Sequence, residues 1–372
     1  MDKPRIAVVV GTRPEAIKVA PLVREFRRFP EAETLLVSTG QHREMLDQSL
    51  AAFGLTPDHD LSVMQHGQSL ADVTARCLSG LNALFGELKP AIILGQGDTT
   101  TALTAAMIAF YLHIPFGHVE AGLRTPTIDN PFPEEFNRRV AGLVSTLHFA
   151  PTSLAVENLL REGVDPGHIF KTGNTGVDAV LQMAEMTSED PYANHKGRLL
   201  ILTTHRRENW GAPMQSIAEA ALEIIERTPD ALLIAPMHRN PTVRTVLEGV
   251  LGLHPRVRLI EPPGYQEFVG LMKRSTLILS DSGGVQEEAP AFGKPVLVLR
   301  EDTERPEGVA AGTAKLVGHD KSIIVHEAMR LLEDPAAYRA MAQAVSPYGD
   351  GHASEQIASI VFKFLGLSNV EP

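Results

Sequence analysis

Short apolar runs alternate with longer amphipathic stretches along most of the chain. In the first half the runs are RIAVVV (5–10), TLLVST (34–39), AIILG (91–95) and TLHFA (146–150). In the second they are LLILT (199–203), ALLIA (231–235), RLI (258–260), LILS (277–280) and PVLVL (295–299). They are rich in Val, Ile and Leu without clean polar alternation, the pattern of strands buried on both faces. The segments between them, such as EAIKVAPLVREF (15–26), carry apolar residues at helical spacing. This alternation predicts parallel sheets built from βα units. A polar stretch with Pro, Gly and Asn but no apolar period, TSEDPYANHKGR (187–198), predicts a linker. The expected organisation is a Rossmann-like domain over 1–186, the linker over 187–198 and a second Rossmann-like domain over 199–352. An amphipathic helix then falls within 353–372 and is expected to pack back on the first domain. Two doubly wound α/β domains of this kind, facing each other across a cleft, bind ligands at the C-terminal ends of their strands.

Composition narrows the function. A chain of 372 residues suits two cores, and 44% hydrophobic with 21% charged residues is an ordinary profile for a water-soluble enzyme. The single cysteine, Cys77, leaves no partner for an intrachain disulfide, and nothing points to an oxidising compartment. The opening MDKPRIAVVVGT has only a short apolar run leading into a glycine turn. It reads as a buried strand rather than a signal peptide or membrane span, so a cytoplasmic location is expected. A net charge of −11 argues against bulk attraction to nucleic acid or anionic membranes. An anionic ligand would need a local cluster of cations and helix N-termini, which directs attention to basic residues beside glycine turns.

Five stretches meet that description or place acid–base groups at strand ends. GTRPEAIK (11–18) follows the first strand; Thr12 and Glu15 have capping-box spacing and Pro14 suits a helix start. Capping explains those three residues but not the cations Arg13 and Lys18, which favour a phosphate or regulator site there. In GQGDTTTA (95–102), Asp98 stands where a helix begins, and by itself reads as an N-cap. HVEAGLRT (118–125) and PFPEEFNRR (131–139) bring Glu120, Glu134 and Glu135 into strand-end or loop positions, with Arg124, Arg138 and Arg139 nearby in sequence. His118-x-Glu120 resembles the start of a zinc deaminase motif, but that motif needs two further cysteines, so no metal is expected. THRREN (204–209) sets His205 just past a strand; a turn-capping histidine or an acid–base group both fit. SDSGGVQEEAPAFGKP (280–295) runs from a strand through Ser-Gly-Gly into a helix, where bare amides suit a diphosphate and Glu288 could accept from ribose hydroxyls. DSGG also occurs in trypsin-like proteases, an all-β secreted class that this pattern excludes. Neither GxGxxG nor GxxxxGK[ST] is present, which removes the usual support for nicotinamide cofactors and P-loop NTP hydrolysis.

Together these pieces resemble the non-hydrolysing UDP-N-acetylglucosamine 2-epimerases, which have the GT-B fold. The resemblance runs nearly end to end and adds TGQHREMLDQ (39–48), HFAPT (148–152), TERPE (303–307), AGT (311–313) and PYGDGHA (347–353). It implies that Asp98, Glu120, Glu134 and His205 are catalytic. It implies UDP contacts from Arg13, Ser282, Gly283, Gly284 and Glu288, with Phe268 stacking on uracil. Lys18, Arg138 and His238 match further active-site positions. In bacterial members a second UDP-N-acetylglucosamine acts as regulator, and Gln41, His42 and Arg206 match positions implicated there. A homodimer, no cofactor and a role in supplying cell-surface polysaccharide synthesis are also implied. Phe132 stands where many members have Trp, and PTIDN (126–130) also departs from the family pattern.

The chemistry can be reasoned from the substrate. C2–H of the sugar is not beside a carbonyl and is not acidic. If the C1–O bond to UDP breaks early, C1 becomes oxocarbenium-like and C2–H acidifies. The enzyme must then stabilise the departing diphosphate and supply an acid–base group on each face of C2. The expected intermediates are 2-acetamidoglucal and UDP. Alternatives are an epimerase of a UDP-diacetamido-uronic acid, a hydrolysing relative, a GT-B glycosyltransferase and a sensor that binds without turnover.

Overall fold

The structure, a computed structural model, describes residues 3–40, 43–65, 67–187 and 191–367. Its contacts divide the chain into two compact units, one of residues 1–179 with 348–372 and one of residues 180–347.

The first unit carries β1 (Arg5–Val10), α1 (Arg13–Phe26), β2 (Glu33–Ser38), α2 (Arg43–Ala52) and β3 (His59–Asp60). It continues with α3 (Leu70–Leu88), β4 (Ile92–Gln96), α4 (Thr100–Tyr111), β5 (Phe116–Val119) and α5 (Glu134–Val144). Then come β6 (Leu147–Ala150), α6 (Ser153–Arg161), β7 (Ile169–Lys171) and α7 (Thr175–Met186). The strands form one parallel sheet in the order β3-β2-β1-β4-β5-β6-β7. Every residue of β1 after Arg5 is buried, as is all of β4, which is why both read as unbroken apolar runs.

The second unit holds β8 (Leu199–Thr203), α8 (Ala212–Arg227), β9 (Leu232–Pro236), α9 (Pro241–Leu251) and β10 (Val257–Ile260). It adds α10 (Tyr265–Arg274), β11 (Leu277–Ser280), α11 (Gly283–Glu288), β12 (Val296–Val298) and α12 (Pro306–Ala311). β13 (Ala314–Leu316), α13 (Lys321–Glu333) and α14 (Pro335–Ala342) complete it. Its parallel sheet runs β10-β9-β8-β11-β12-β13. Leu200 and Leu202 of β8, Ile217 and Ile224 of α8, and Leu277 and Leu279 of β11 belong to its main core cluster. Both units are doubly wound α/β folds of the GT-B type. In each, the strand order reverses beside the first strand, at β1/β4 and at β8/β11, and crevices for ligands open at such points.

The last helix, α15 (Ala353–Phe364), belongs to the first unit. Phe362 packs edge-on against Phe26 and Phe29, with ring centroids 5.6 and 4.9 Å away. The buried Asp178 carboxylate accepts from the amides of Ala353 and Ser354 at 3.2 and 2.6 Å, capping the helix from a distance in sequence. Just before it, Gly349 (φ +107°) lies against Gly173 (φ +87°) so closely that a side chain on either would meet backbone. The contact division runs through α7 and again at 347/348, whereas the polar stretch 187–198 begins where α7 is ending.

Candidate functional site

In the first unit, the candidate residues lie on the loops that leave β1, β4 and β5 and on the start of α5. β1 turns into α1 through Gly11 and Thr12. A Cβ on Gly11 would run into the hydroxyls of Thr39 and Thr101, themselves 2.9 Å apart, so this turn admits only glycine. Glu15 folds back under the turn. Its Oε2 accepts from the amides of Gly11 (3.0 Å) and Thr12 (2.7 Å) and from the Thr12 hydroxyl (2.8 Å). Its Oε1 accepts from the Thr99 hydroxyl at 2.6 Å, which ties the β1 loop to the loop that carries Asp98. Burial pushes the Glu15 carboxyl up to about 7, against the pull of those Thr99, Thr12 and backbone donors. The capping-box spacing thus serves a wider purpose than closing one helix.

Arg13 and Lys18 are part-buried on α1. Lys18 Nζ reaches Glu120 Oε2 at 2.6 Å, and Gln96 Nε2 donates to the same oxygen at 2.7 Å. Glu120 is 9% exposed and adopts φ +65°, a left-handed conformation that costs a non-glycine residue energy. Asp98 pairs through Oδ2 with Arg138 at 2.8 Å, and its carbonyl accepts from Asn137 Nδ2 at 2.8 Å. Both partners sit on α5, whose first residue is the part-buried Glu134. The structure therefore gathers Lys18 with Glu120, and Asp98 with Arg138, at one edge of one sheet. Of the other residues of that stretch, Glu135 meets this group through Arg138, while Arg124 turns to Glu162. Glu135 is fully buried, bonded to the Thr125 amide and ion-paired with Arg138 and Arg139, and Arg124 grips Glu162 through two contacts of 2.6 and 2.7 Å. His118, 0% exposed, bonds the Gly97 carbonyl through Nε2 at 2.7 Å. Burial holds its ring down at about 3, so it is a neutral brace under the Asp98 loop. Among the described residues no three His, Cys, Asp or Glu side chains converge as metal ligands. Gln41 and His42 lie outside the described residues.

In the second unit, THRREN leaves β8 and Ser282–Gly284 leaves β11, on either side of the strand-order reversal. His205 Nδ1 lies 2.8 Å from Asp281 Oδ1, and the His205 and His238 rings stack at 6.3 Å. His238 is exposed and its Nδ1 accepts from the Asn240 amide. Ser282 stands at the N-cap position of α11 with no capping bond from its side chain, and a Cβ on Gly283 would press at 3.2–3.3 Å on the guanidinium of Arg305, which itself pairs with Glu287 at 2.8 Å. Glu288 ends α11 and accepts from the Tyr265 hydroxyl at 3.4 Å; Phe268 is half-buried one turn along α10 from that tyrosine. Arg206 pairs with Glu304 at 3.2 Å. Burial opposes ionisation of Glu304, but Arg300, Arg206 and Arg305 outweigh it and hold the carboxyl down at about 2.

A sequence profile described as UDP-N-acetylglucosamine 2-epimerase matches residues 24–362. The UDP-N-acetylglucosamine 2-epimerase of Bacillus subtilis is 47% identical over 374 residues, covering 100% of this chain and 98% of the relative. The chain belongs to the UDP-N-acetylglucosamine 2-epimerase family. Membership makes it an isomerase. A crystal structure of the Neisseria meningitidis UDP-GlcNAc 2-epimerase bound to UDP-GlcNAc superposes with TM-score 0.87 at 43% identity, covering 96% of this chain and 100% of that one. The glycotransferase of kitacinnamycin, 12% identical with TM-score 0.66, shares the fold alone. None of the described helices of this epimerase-family chain is long and apolar enough to cross a membrane.

Beside the family's expected positions stand residues that sequence reasoning passed over as players. Glu15 reads as a helix cap, Asp281 as part of a DSGG string, and Arg305 only as a letter in TERPE. The signal for each was a motif quoted for resemblance; what each touches needed the fold.

Proposed function

We propose that the chain inverts C2 of UDP-N-acetylglucosamine to give UDP-N-acetylmannosamine, by eliminating UDP from C1 and the proton from C2 to leave 2-acetamidoglucal, then re-adding UDP at C1 with a proton delivered to the other face of C2. The observation that carries this reading is the carboxylate set of the first unit. Asp98 and Glu120 are each braced by a cation at 2.8 and 2.6 Å, on neighbouring strand-end loops of a chain in this family. With Glu134 they supply carboxylates enough for one proton to leave C2 and another to arrive, which inversion requires. Glycosyl transfer to an acceptor needs no second acid–base group on the sugar, and this disfavours the glycosyltransferase reading.

In this proposal Arg13 and the amides of Gly283 and Gly284 at the start of α11 take the charge that develops on the departing diphosphate. Arg305, packed against Gly283, adds positive charge beside them. Glu288 holds the ribose, Phe268 stacks on uracil, and Lys18, Arg138 and His238 orient the substrate or its neighbours. His205 serves as the acid–base or pyrophosphate contact of the second unit. No cofactor is called for. The proposal extends to a homodimeric cytoplasmic enzyme feeding cell-surface polysaccharide synthesis, with a second UDP-N-acetylglucosamine as regulator. Of the residues assigned to the regulator, Arg206 is part-buried against Glu304 and would have to share its guanidinium.

An NMR time course with UDP-N-acetylglucosamine as the sole substrate tests the reaction. The C2 epimer should accumulate to equilibrium. Free N-acetylmannosamine would instead mark a hydrolase, and unchanged but bound substrate a sensor; either result ends the proposal.

A further inference from the structure

His205 does not stand alone on its loop. Asp281 is fully buried beneath it and gathers donors from Thr204, His205, Arg206 and Asn209. Asp281 Oδ2 accepts from the Thr204 hydroxyl (3.0 Å), the His205 amide (2.9 Å), the Arg206 amide (2.9 Å) and Asn209 Nδ2 (2.9 Å). Asp281 Oδ1 faces His205 Nδ1 at 2.8 Å. We propose that Asp281 is a positioning residue: it fixes the neutral His205 ring as the tautomer protonated at Nδ1, so that Nε2 meets the substrate as a proton acceptor.

A buried carboxylate has only acceptors to offer. A neutral imidazole that contacts it through Nδ1 must therefore carry its hydrogen on that nitrogen, and the lone pair falls to Nε2. The other four donors lock the carboxylate in place, so the ring is oriented as well as protonated in one sense. Burial alone would raise the Asp281 carboxyl. The His205 ring and the backbone amides outweigh it and hold the group down at about 2, which keeps it an acceptor at every working pH. The His205 ring is 45% exposed while Asp281 is sealed, so one end of the dyad is anchored and the other is open to a ligand.

The proposal rests on His205 acting on the substrate, but its central claim is a proton position that can be read without turnover. Nitrogen-15 NMR of the histidine-labelled protein at about pH 8, above the ordinary imidazole range, reports the tautomer directly. His205 should be protonated at Nδ1; a ring protonated at Nε2 overturns the proposal, whatever the enzyme catalyses. Asp281→Asn sharpens the test. The amide oxygen can take the place of Oδ2 and keep its four donors, which leaves the NH2 group facing His205 Nδ1. The ring must then accept there, and its hydrogen moves to Nε2. The expected result is a swapped tautomer, a KM close to wild type and a kcat lower by about a hundredfold, the scale of one positioned acid–base group. Wild-type kcat in that variant overturns the proposal. Thr204→Val removes another Asp281 contact and leaves the dyad intact. It should lower the melting temperature with a loss of kcat far smaller than that of Asp281→Asn, and an equal loss of kcat would mean that Asp281 only props up the loop. If Asp281→Asn does not fold, the wild-type tautomer and Thr204→Val still decide.

Discussion

At the scale of single residues, the candidate carboxylates of the first unit make the sharpest predictions. Replacing Asp98 by Asn or Glu134 by Gln keeps the shape and removes one proton carrier. Turnover should fall by about a hundredfold or more. Proton transfer should slow more than C1–O cleavage, so these variants should release 2-acetamidoglucal and UDP into solution, where chromatography would find them. Variants that are slow yet never leak glycal would tell against elimination as the route. The wild-type enzyme run in D2O should place deuterium at C2 of the product, and protium retained there would refute the mechanism outright. Glu288 allows a separate measurement. If it holds the ribose, Glu288→Ala should weaken UDP binding by about 1.5–3 kcal/mol, the usual worth of a hydrogen bond to a charged group. The Tyr265 hydroxyl reaches it at 3.4 Å, and the melting temperature of the variant, measured alongside, separates lost affinity from lost fold. Calorimetry that finds unchanged UDP affinity would remove Glu288 from the site.

At the scale of elements, the turn between β1 and α1 joins local conformation to function. Gly11 lies against Thr39 and Thr101, and Glu15 ties that turn to Thr99. Gly11→Ala should cost about 1–3 kcal/mol, the range for forcing extra volume into a packed place. It should also displace the loops bearing Arg13 and Asp98, so activity should fall further than stability alone explains. Thermal melts alongside kcat/KM would show it, and an Ala variant with full activity would mean that the turn is slacker than its contacts. The strands here show what an apolar run can reveal. β1, β8 and β11 coincide with runs RIAVVV, LLILT and LILS, and β2, β4, β6, β9, β10 and β12 differ from theirs by about a residue at either end. Four strands gave no run to read. β3, β7 and β13 are edge or near-edge strands of two or three residues, too short for a period to form. β5 is central, but its FGHV includes a histidine whose polarity hides the strand, since only the Gly97 carbonyl across the loop makes His118 tolerable inside. That Arg13, Lys18 and His205 fall just past strands could be read from the apolar runs before them, whereas Asp98 by itself read as an N-cap and was singled out only by the resemblance. Glu15 as a tie between loops, Asp281 under His205 and the Arg300–Glu304–Arg206 cluster could not be read, because each depends on partners 75 to 98 positions away or on depth below the surface.

For the molecule as a whole, buried imidazoles set the response to acid. Burial holds His118 down at about 3 and His148 at about 4, against an ordinary value of 6.5. In the unfolded chain both take up protons as pH falls through 6.5, while in the fold they do not. Their contribution to stability is therefore complete above pH 6.5 and is lost on acidification, by roughly 3 kcal/mol each on reaching pH 4. Glu15 runs the other way: with its folded value raised to about 7, its contribution is present below 4.5 and fades as pH climbs to 7. Denaturant unfolding of the wild type and of His148→Gln across pH 4 to 7 should show a shallower acid slope in the variant. Parallel slopes would mean that His148 charges freely in the fold.

The first unit is assembled from both ends of the chain, since Asp178 caps α15 and Phe362 packs on Phe26 and Phe29. On a ribosome this reverses the usual order of events, in which the N-terminal domain folds first. Residues 180–347 emerge complete while the earlier unit still waits for its last helix. The uncovered surface of Phe26 on α1 and of Phe29 just beyond it is then where a chaperone would act. Nascent chains stalled at successive lengths and treated with protease should show the later-synthesised unit becoming resistant first. Resistance of the earlier unit should follow only once residues 353–364 have cleared the exit tunnel. A first unit already resistant without α15 would show that the closing helix is an ornament on a fold that is finished before it arrives.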